Sequence, residues 1–252
     1  MNKEEILDFL EKYKLDKNQV IIISGAAMVI NNIKDSTKDI DIAVSAEYEK
    51  KLLEEYNCKL ERTIQDKGKT FNAYMIDDII NFSNHYYDDY DYEIVDGYKI
   101  QTPEEILRLK MYMNREKDGV DIFRLRNFIN VKNMNSLNLA YLGDAVYELY
   151  IREFLIKKNM KVNELQKKSI EYVSAKRQST FLDKMIEENF LKLEEIKIVK
   201  RARNHKSHSN KSTDIITYEK STGLEALIGY LKLTNNDKRI DEIMKYIIGD
   251  EK

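Results

Sequence analysis

The sequence of 252 residues holds one cysteine, Cys58, and that alone closes several routes. A lone thiol makes no internal disulfide and builds no thiolate metal site. Cys58 lies in the charged stretch 56–61 without a histidine beside it to activate it, so thiol chemistry and structural zinc are not expected. Long apolar runs are also missing. Charged residues make up 34% of the chain and interrupt every stretch that approaches the roughly 18 apolar residues a membrane span needs. Residues 1–10 carry Lys3, Glu4, Glu5 and Asp8 where a signal peptide needs an unbroken apolar core, so a cytoplasmic protein with no membrane partner is expected. Internal repeats and low-complexity segments are absent too.

What is present is enough to fold. A 42% hydrophobic fraction is too apolar for a disordered chain, and the length suits two ordinary domains. The near-neutral total hides an asymmetry. Residues 1–132 carry 20 basic and 26 acidic side chains, and residues 133–252 carry 22 and 18. Positive charge concentrates between Lys197 and Lys220, where Lys197, Lys200, Arg201, Arg203, Lys206, Lys211 and Lys220 meet only Asp214 and Glu219. Taken alone such a run is most simply a solvated loop, but a polyanion is its natural partner.

The first half alternates in period. Strands are predicted at 21–23, 39–44, 71–75 and 79–82, and helices at 25–32 and 48–56. Thr102, Pro103 and Glu105 supply an N-cap, a first-turn proline and a capping-box acid, predicting a helix through Asn114, with another over 120–129. The stretch 131–136, with little apolar content, serves as the linker. Beyond it the periodicity is helical throughout: at 142–154, 165–174, 180–186, 193–203 and 224–233. The expected organisation is an α/β domain at 1–130, a linker at 131–136 and an all-α domain at 137–252.

Two carboxylates stand inside mostly apolar helices of the second half. At about 100 degrees of rotation per residue, Asp144 falls off the stripe of Leu142 and Val146, beside Tyr141 and Glu148. By itself it could be a surface acid. Glu225 follows Thr222 at capping-box spacing, so it could simply hold a helix start.

Together, Asn138 to Arg152 (NLAYLGDAVYELYIR), Val173 to Gln178, Lys200 to Asn204, and Tyr218 to Tyr230 resemble the ribonuclease III family, specifically its Mini-ribonuclease III branch, in order and spacing. The resemblance implies an all-α catalytic domain, with Asp144 and Glu225 as catalytic carboxylates and Mg²⁺ ligands. It implies that Lys176, Lys200, Arg201, Arg203, Asn204 and Lys206 contact RNA. It further implies a homodimer that cuts both strands of duplex RNA, with a precursor of ribosomal RNA as substrate. Larger members carry extra acids where this chain has Leu137, Ala140 and Thr222, a departure the miniature branch shares.

In the first half, Ile22 to Ile30 followed by Asp35 to Asp41 resembles the minimal nucleotidyltransferases, including antitoxin-like members. Asp39 and Asp41, two apart on a strand, share a face suited to a Mg²⁺-bound nucleoside triphosphate. Ser24-Gly25 stands where a Gly-Gly or Gly-Ser pair is usual, and Asp78 is the expected third acid, with Asp77 second choice. Lys110, Arg115, Lys117, Asp118 and Asp121 resemble the helical end of such domains. A working transferase and a degenerate domain that binds RNA, nucleotide or a partner both remain open. So does the alternative that the transferase is the active half and the helical half only holds RNA.

Overall fold

A computed structural model describes residues 1–204 and 214–249. The chain divides into two compact units, Met1–Ile129 and Asn130–Lys252.

The first unit is built on one mixed sheet. In chain order its elements are α1 (Lys3–Lys12), β1 (Val20–Ile22), α2 (Ser24–Ile30), β2 (Ile40–Val44), α3 (Ala46–Glu55), β3 (Cys58–Asp66), β4 (Lys69–Ile76), β5 (Ile80–Ser83), β6 (Tyr92–Val95), β7 (Tyr98–Gln101), α4 (Pro103–Met113) and α5 (Gly119–Lys132). The strands lie in the order β3-β4-β5-β2-β1-β7-β6. β2 pairs parallel with β5, β1 pairs parallel with β7, and the other neighbours are antiparallel. Asp96-Gly97 and Lys67-Gly68 close two-residue hairpins with positive φ at every central position, which the glycines take without steric cost. β1 is apolar and buried on both faces, whereas β2 and β5 turn Asp41 and Asn81 to the face opposite Ile40, Ile42, Ile80 and Phe82. Ile22, Ile40, Ile80 and Phe82 join Ile6, Met28 and Leu52 in one core.

Thr102 caps α4 as the sequence predicts, its hydroxyl accepting from the Glu105 N–H. Glu105 does not complete a capping box. Its carboxylate is buried, where it accepts from the Asp91 N–H and from Arg108 instead.

The second unit is helical: α6 (Ser136–Ile156), α7 (Val162–Val173), α8 (Ala175–Glu187), α9 (Leu193–Arg203), α10 (Ile215–Leu233) and α11 (Asp237–Ile248). Between α5 and α6 only 133–135 is non-helical. The core gathers Tyr147, Ile151, Leu182, Met185, Val199, Leu224, Leu227 and Ile228. Arg239 ties α11 to α9 through a buried, two-pronged pair with Glu195 at 2.7 and 2.9 Å. Among the described residues no strand occurs in this unit, and no helix is long and apolar enough to cross a membrane.

α10 begins nine residues earlier than the periodicity suggests. Asp214 caps it, accepting from the Thr217 N–H at 2.9 Å. Glu225 therefore lies mid-helix, and the capping explanation for it is overturned.

Candidate active site

α6 and α10 cross at backbone contact. A Cβ on Gly143 would stand 1.8 Å from the Glu225 carbonyl oxygen, and one on Gly229 would stand 2.0 Å from that of Leu139. No side chain fits at either point. The crossing sets Asp144, next to Gly143, beside Glu225, one helical turn before Gly229.

Burial and the Asp144 charge both make Glu225 harder to ionise. The Glu225 pKa is pushed up to about 8, first by burial and then by the Asp144 charge, while the Gln178 amide pulls it down. Asp144 is exposed on α6, and the partial burial it has, followed by Glu148, raises its pKa as well. Tyr147 is buried beside the pair, with its hydroxyl donating to the Tyr172 carbonyl at 3.1 Å, and burial together with Glu225 raises its pKa.

Gln178 arrives from α8 and is 1% exposed. Its Nε2 lies near enough to favour the charged form of Glu225, yet makes no hydrogen bond of regular geometry with any described residue. Two crowded carboxylates, with a buried amide donor still unsatisfied, fit a divalent cation held by Asp144 and Glu225. Oxygen donors are what Mg²⁺ takes, and its charge would relieve the repulsion. Among the described residues no cluster of three or more His, Cys, Asp or Glu side chains is close enough to hold a metal, so a cation held by Asp144 and Glu225 would take further oxygen ligands from water.

The basic candidates gather in part. Lys200, Arg201 and Arg203 occupy the last turn of α9, with Asn204 as its C-cap. That placement also suits the negative end of the helix dipole. A Cβ on Gly223 would lie 3.2 Å from Arg203 Cγ, so Arg203 packs on α10 two residues from Glu225. Lys176 is exposed on the first turn of α8. Arg201 is partly committed, donating to the Lys132 carbonyl. Lys197 pairs with Glu194 and Lys220 with Asp183, each at 2.7 Å. Lys206 and Lys211 lie outside the described residues.

In the first unit β2 starts one residue later than the sequence reading has it: Asp39 immediately precedes the strand and Asp41 is its second residue. The Asp41 pKa is pushed up to about 6, by burial first and then by Asp39. Arg62 and Lys110 oppose that rise and Glu61 adds to it. The residue opposite Asp41 on β5 is Asn81, not an acid. Asn81 donates its amide to Glu61, the extra residue of a β-bulge in β3, and a bulge re-aims its side chain. Asp78 is exposed in the turn between β4 and β5 at φ 54, a conformation Asp tolerates. Ser24 opens α2 at φ 56, its N–H donating to Gln101 Oε1 at 3.0 Å. A Cβ on Gly25 would meet Thr37 Oγ1 at 3.0 Å. Lys110 is buried between Asp118 at 2.6 Å and Asp121 at 3.0 Å, so this cluster is an ion-pair network.

Three features escaped the sequence. Gly143 and Gly229 carry the crossing. Glu61 reaches Asn81 only through the bulge. Gln178 shares helical spacing with the buried Leu182 and Met185, and a polar residue within an apolar stripe was the available signal.

The paired carboxylates on packed helices define a ribonuclease III domain, and the family model with that description matches residues 137–236. A second family model, "Nucleotidyltransferase of unknown function (DUF6036)", matches residues 3–178. Among curated proteins, the Mini-ribonuclease 3 of Clostridium tetani is 48% identical over 122 residues, covering 47% of this chain and 80% of that protein. The Mini-ribonuclease 3 of Streptococcus pneumoniae is 44% identical, covering 48% and 95%, and that of Staphylococcus aureus is 42% identical, covering 47% and 90%. The chain belongs to the Mini-ribonuclease 3 family of endoribonucleases through its second unit, and to this nucleotidyltransferase family through residues 3–178.

Proposed function

We propose that the protein is a Mg²⁺-dependent endoribonuclease of double-stranded RNA that acts as a homodimer in the cytoplasm and matures a ribosomal RNA precursor. Residues 137–252 are its catalytic domain and residues 1–130 an appended nucleotidyltransferase-like domain. The observation that carries this reading is the contact of α6 and α10, which brings two otherwise repelling carboxylates to one place.

Asp144 and Glu225 hold the ion. When bound, it supplies charge stabilisation for the phosphodiester oxygens and a water made nucleophilic at neutral pH. Lys176, Lys200, Arg203 and Asn204 dock the RNA backbone. A-form duplexes hide their major groove from side chains, so recognition rests on shape, phosphates and 2′-hydroxyls. One such site cuts one strand, and a two-fold dimer supplies the second.

For the first unit the reading supported best is a nucleotide-binding domain that has lost transfer chemistry. Asn81 stands opposite Asp41, where a third acid would serve a transferase.

The test is cleavage of duplex and of single-stranded RNA by the purified chain, with and without Mg²⁺, with both product ends mapped. Duplex-only, Mg²⁺-dependent cuts paired across the strands support the proposal. Cleavage retained near the normal rate by Asp144→Asn or Glu225→Gln overturns it. Sedimentation as a monomer that still makes paired cuts removes the dimer.

A further inference from the structure

Among the described residues of the second unit, Gln178 is the one with a buried side-chain nitrogen or oxygen, its Nε2, left without a hydrogen-bond partner. It shares the stripe of α8 that places Leu182 and Met185 in the core, and it is as buried as they are. Its backbone N–H is occupied, donating to the Ser174 carbonyl at 3.0 Å. Its side chain is not, since Nε2 has no regular hydrogen-bond partner among the described residues. A leucine or methionine would fill the same volume without stranding a buried donor, and stranding one is costly. A ligand group that orients toward the amide when the site is loaded resolves the cost, and the Glu225 carboxylate is the group the amide already acts on.

We propose that Gln178 is a positioning residue for Glu225, its Nε2 donating to one carboxylate oxygen and so turning the other toward the cation held with Asp144. A carboxylate ligand has a second oxygen that must find a donor, and partners of that kind fix the ligand's orientation and raise metal affinity. Gln178 itself touches neither RNA nor the reacting atoms. This inference rests on Asp144 and Glu225 being the metal ligands.

The test uses the full chain and Mn²⁺ as the probe, titrated by calorimetry without RNA. An Asp39→Asn, Asp41→Asn background removes the first unit's acids from the signal. Gln178→Met keeps the side-chain volume and deletes the donor. It should melt near the parent temperature and bind Mn²⁺ about 10- to 100-fold more weakly. In cleavage, the Mg²⁺ concentration for half-maximal rate should rise by a similar factor, while kcat at saturating Mg²⁺ stays within about threefold, a split that a packing defect does not produce. If Gln178→Met does not fold, Gln178→Asn, which withdraws the amide by one carbon, is expected to give the same weakened Mn²⁺ binding. Parent-like Mn²⁺ affinity in a folded variant overturns the inference. Glu225→Gln, run alongside, separates the two levels. If it too binds Mn²⁺ as the parent does, the ligand assignment itself has failed, whereas loss there with none in Gln178→Met removes Gln178 alone.

Discussion

Gly143 and Gly229 face each other across the crossing of α6 and α10. A Cβ on Gly143 would lie 2.8 Å from the Gly229 nitrogen, and a Cβ on Gly229 would lie 3.1 Å from the Gly143 nitrogen. Glycine inside a helix costs about 1 kcal/mol relative to alanine, so two of them at one crossing mark a close approach that offsets the loss. Gly143→Ala and Gly229→Ala should each cost about 3 kcal/mol or more, because rigid backbone has to move. Cleavage should fall with stability, since separating the helices parts Asp144 from Glu225. Thermal unfolding checks this, with Gly119→Ala as control, a helical position where an added Cβ meets nothing within 4 Å.

Glu225 makes metal-free stability depend on pH. Its folded pKa, about 8, lies above the ordinary 4.5, so the folded state holds the proton more tightly than the unfolded chain does. That contribution is fully present below pH 4.5 and is lost as pH rises through 8. With chelator present, the wild-type melting temperature should fall between pH 5 and 8.5, and Glu225→Gln should flatten the decline. Mg²⁺ should raise the wild-type melting temperature at pH 8 by more than it raises the variant's. A decline of equal steepness in both proteins would remove Glu225 as its source.

Replacing Lys176, Lys200 and Arg203 together with alanine should weaken duplex binding and lower the salt slope by up to about three, roughly one for each phosphate left without its cation. Sequence preference should barely change. Arg201 is kept, because it donates to the Lys132 carbonyl and its removal would mix structure with binding. Binding isotherms in Ca²⁺ at several salt concentrations decide it, and an unchanged slope identifies the α9 terminus as solvated surface.

Asp39→Asn with Asp41→Asn should eliminate any heat of binding with Mg²⁺-nucleoside triphosphates and leave RNA cleavage within about twofold of wild type. Asp144, Glu225 and Gln178 all belong to the second unit, which is why cleavage is expected to survive changes in the first. Calorimetry with each of the four triphosphates, beside a cleavage assay, reads both halves of the expectation.

Sequence periodicity located β2 and β5, which are buried on a definite face, but passed over α1, β7 and α11, which are buried on one too. The edge strand β3 was missed because Lys59, Leu60, Glu61 and Arg62 are all exposed, leaving no alternation to detect. The start of α10 was missed for a related reason: Ile215 and Ile216 are exposed, and the core-facing run starts at Ser221. Asp144 and Glu225 could be named because their neighbours form local motifs. Their closeness could not, since it depends on two glycines far apart in sequence meeting backbone to backbone. Asn81 and Glu61 likewise meet across an intervening strand, a relation that only the bulge creates.

The division between the units falls inside α5, and each carboxylate pair is drawn from one side of it. Every round of translation therefore delivers the two pairs in equal numbers. A cell can alter how much of the chain it makes, but it cannot tune the dosage of one half against the other without proteolysis or a separate gene.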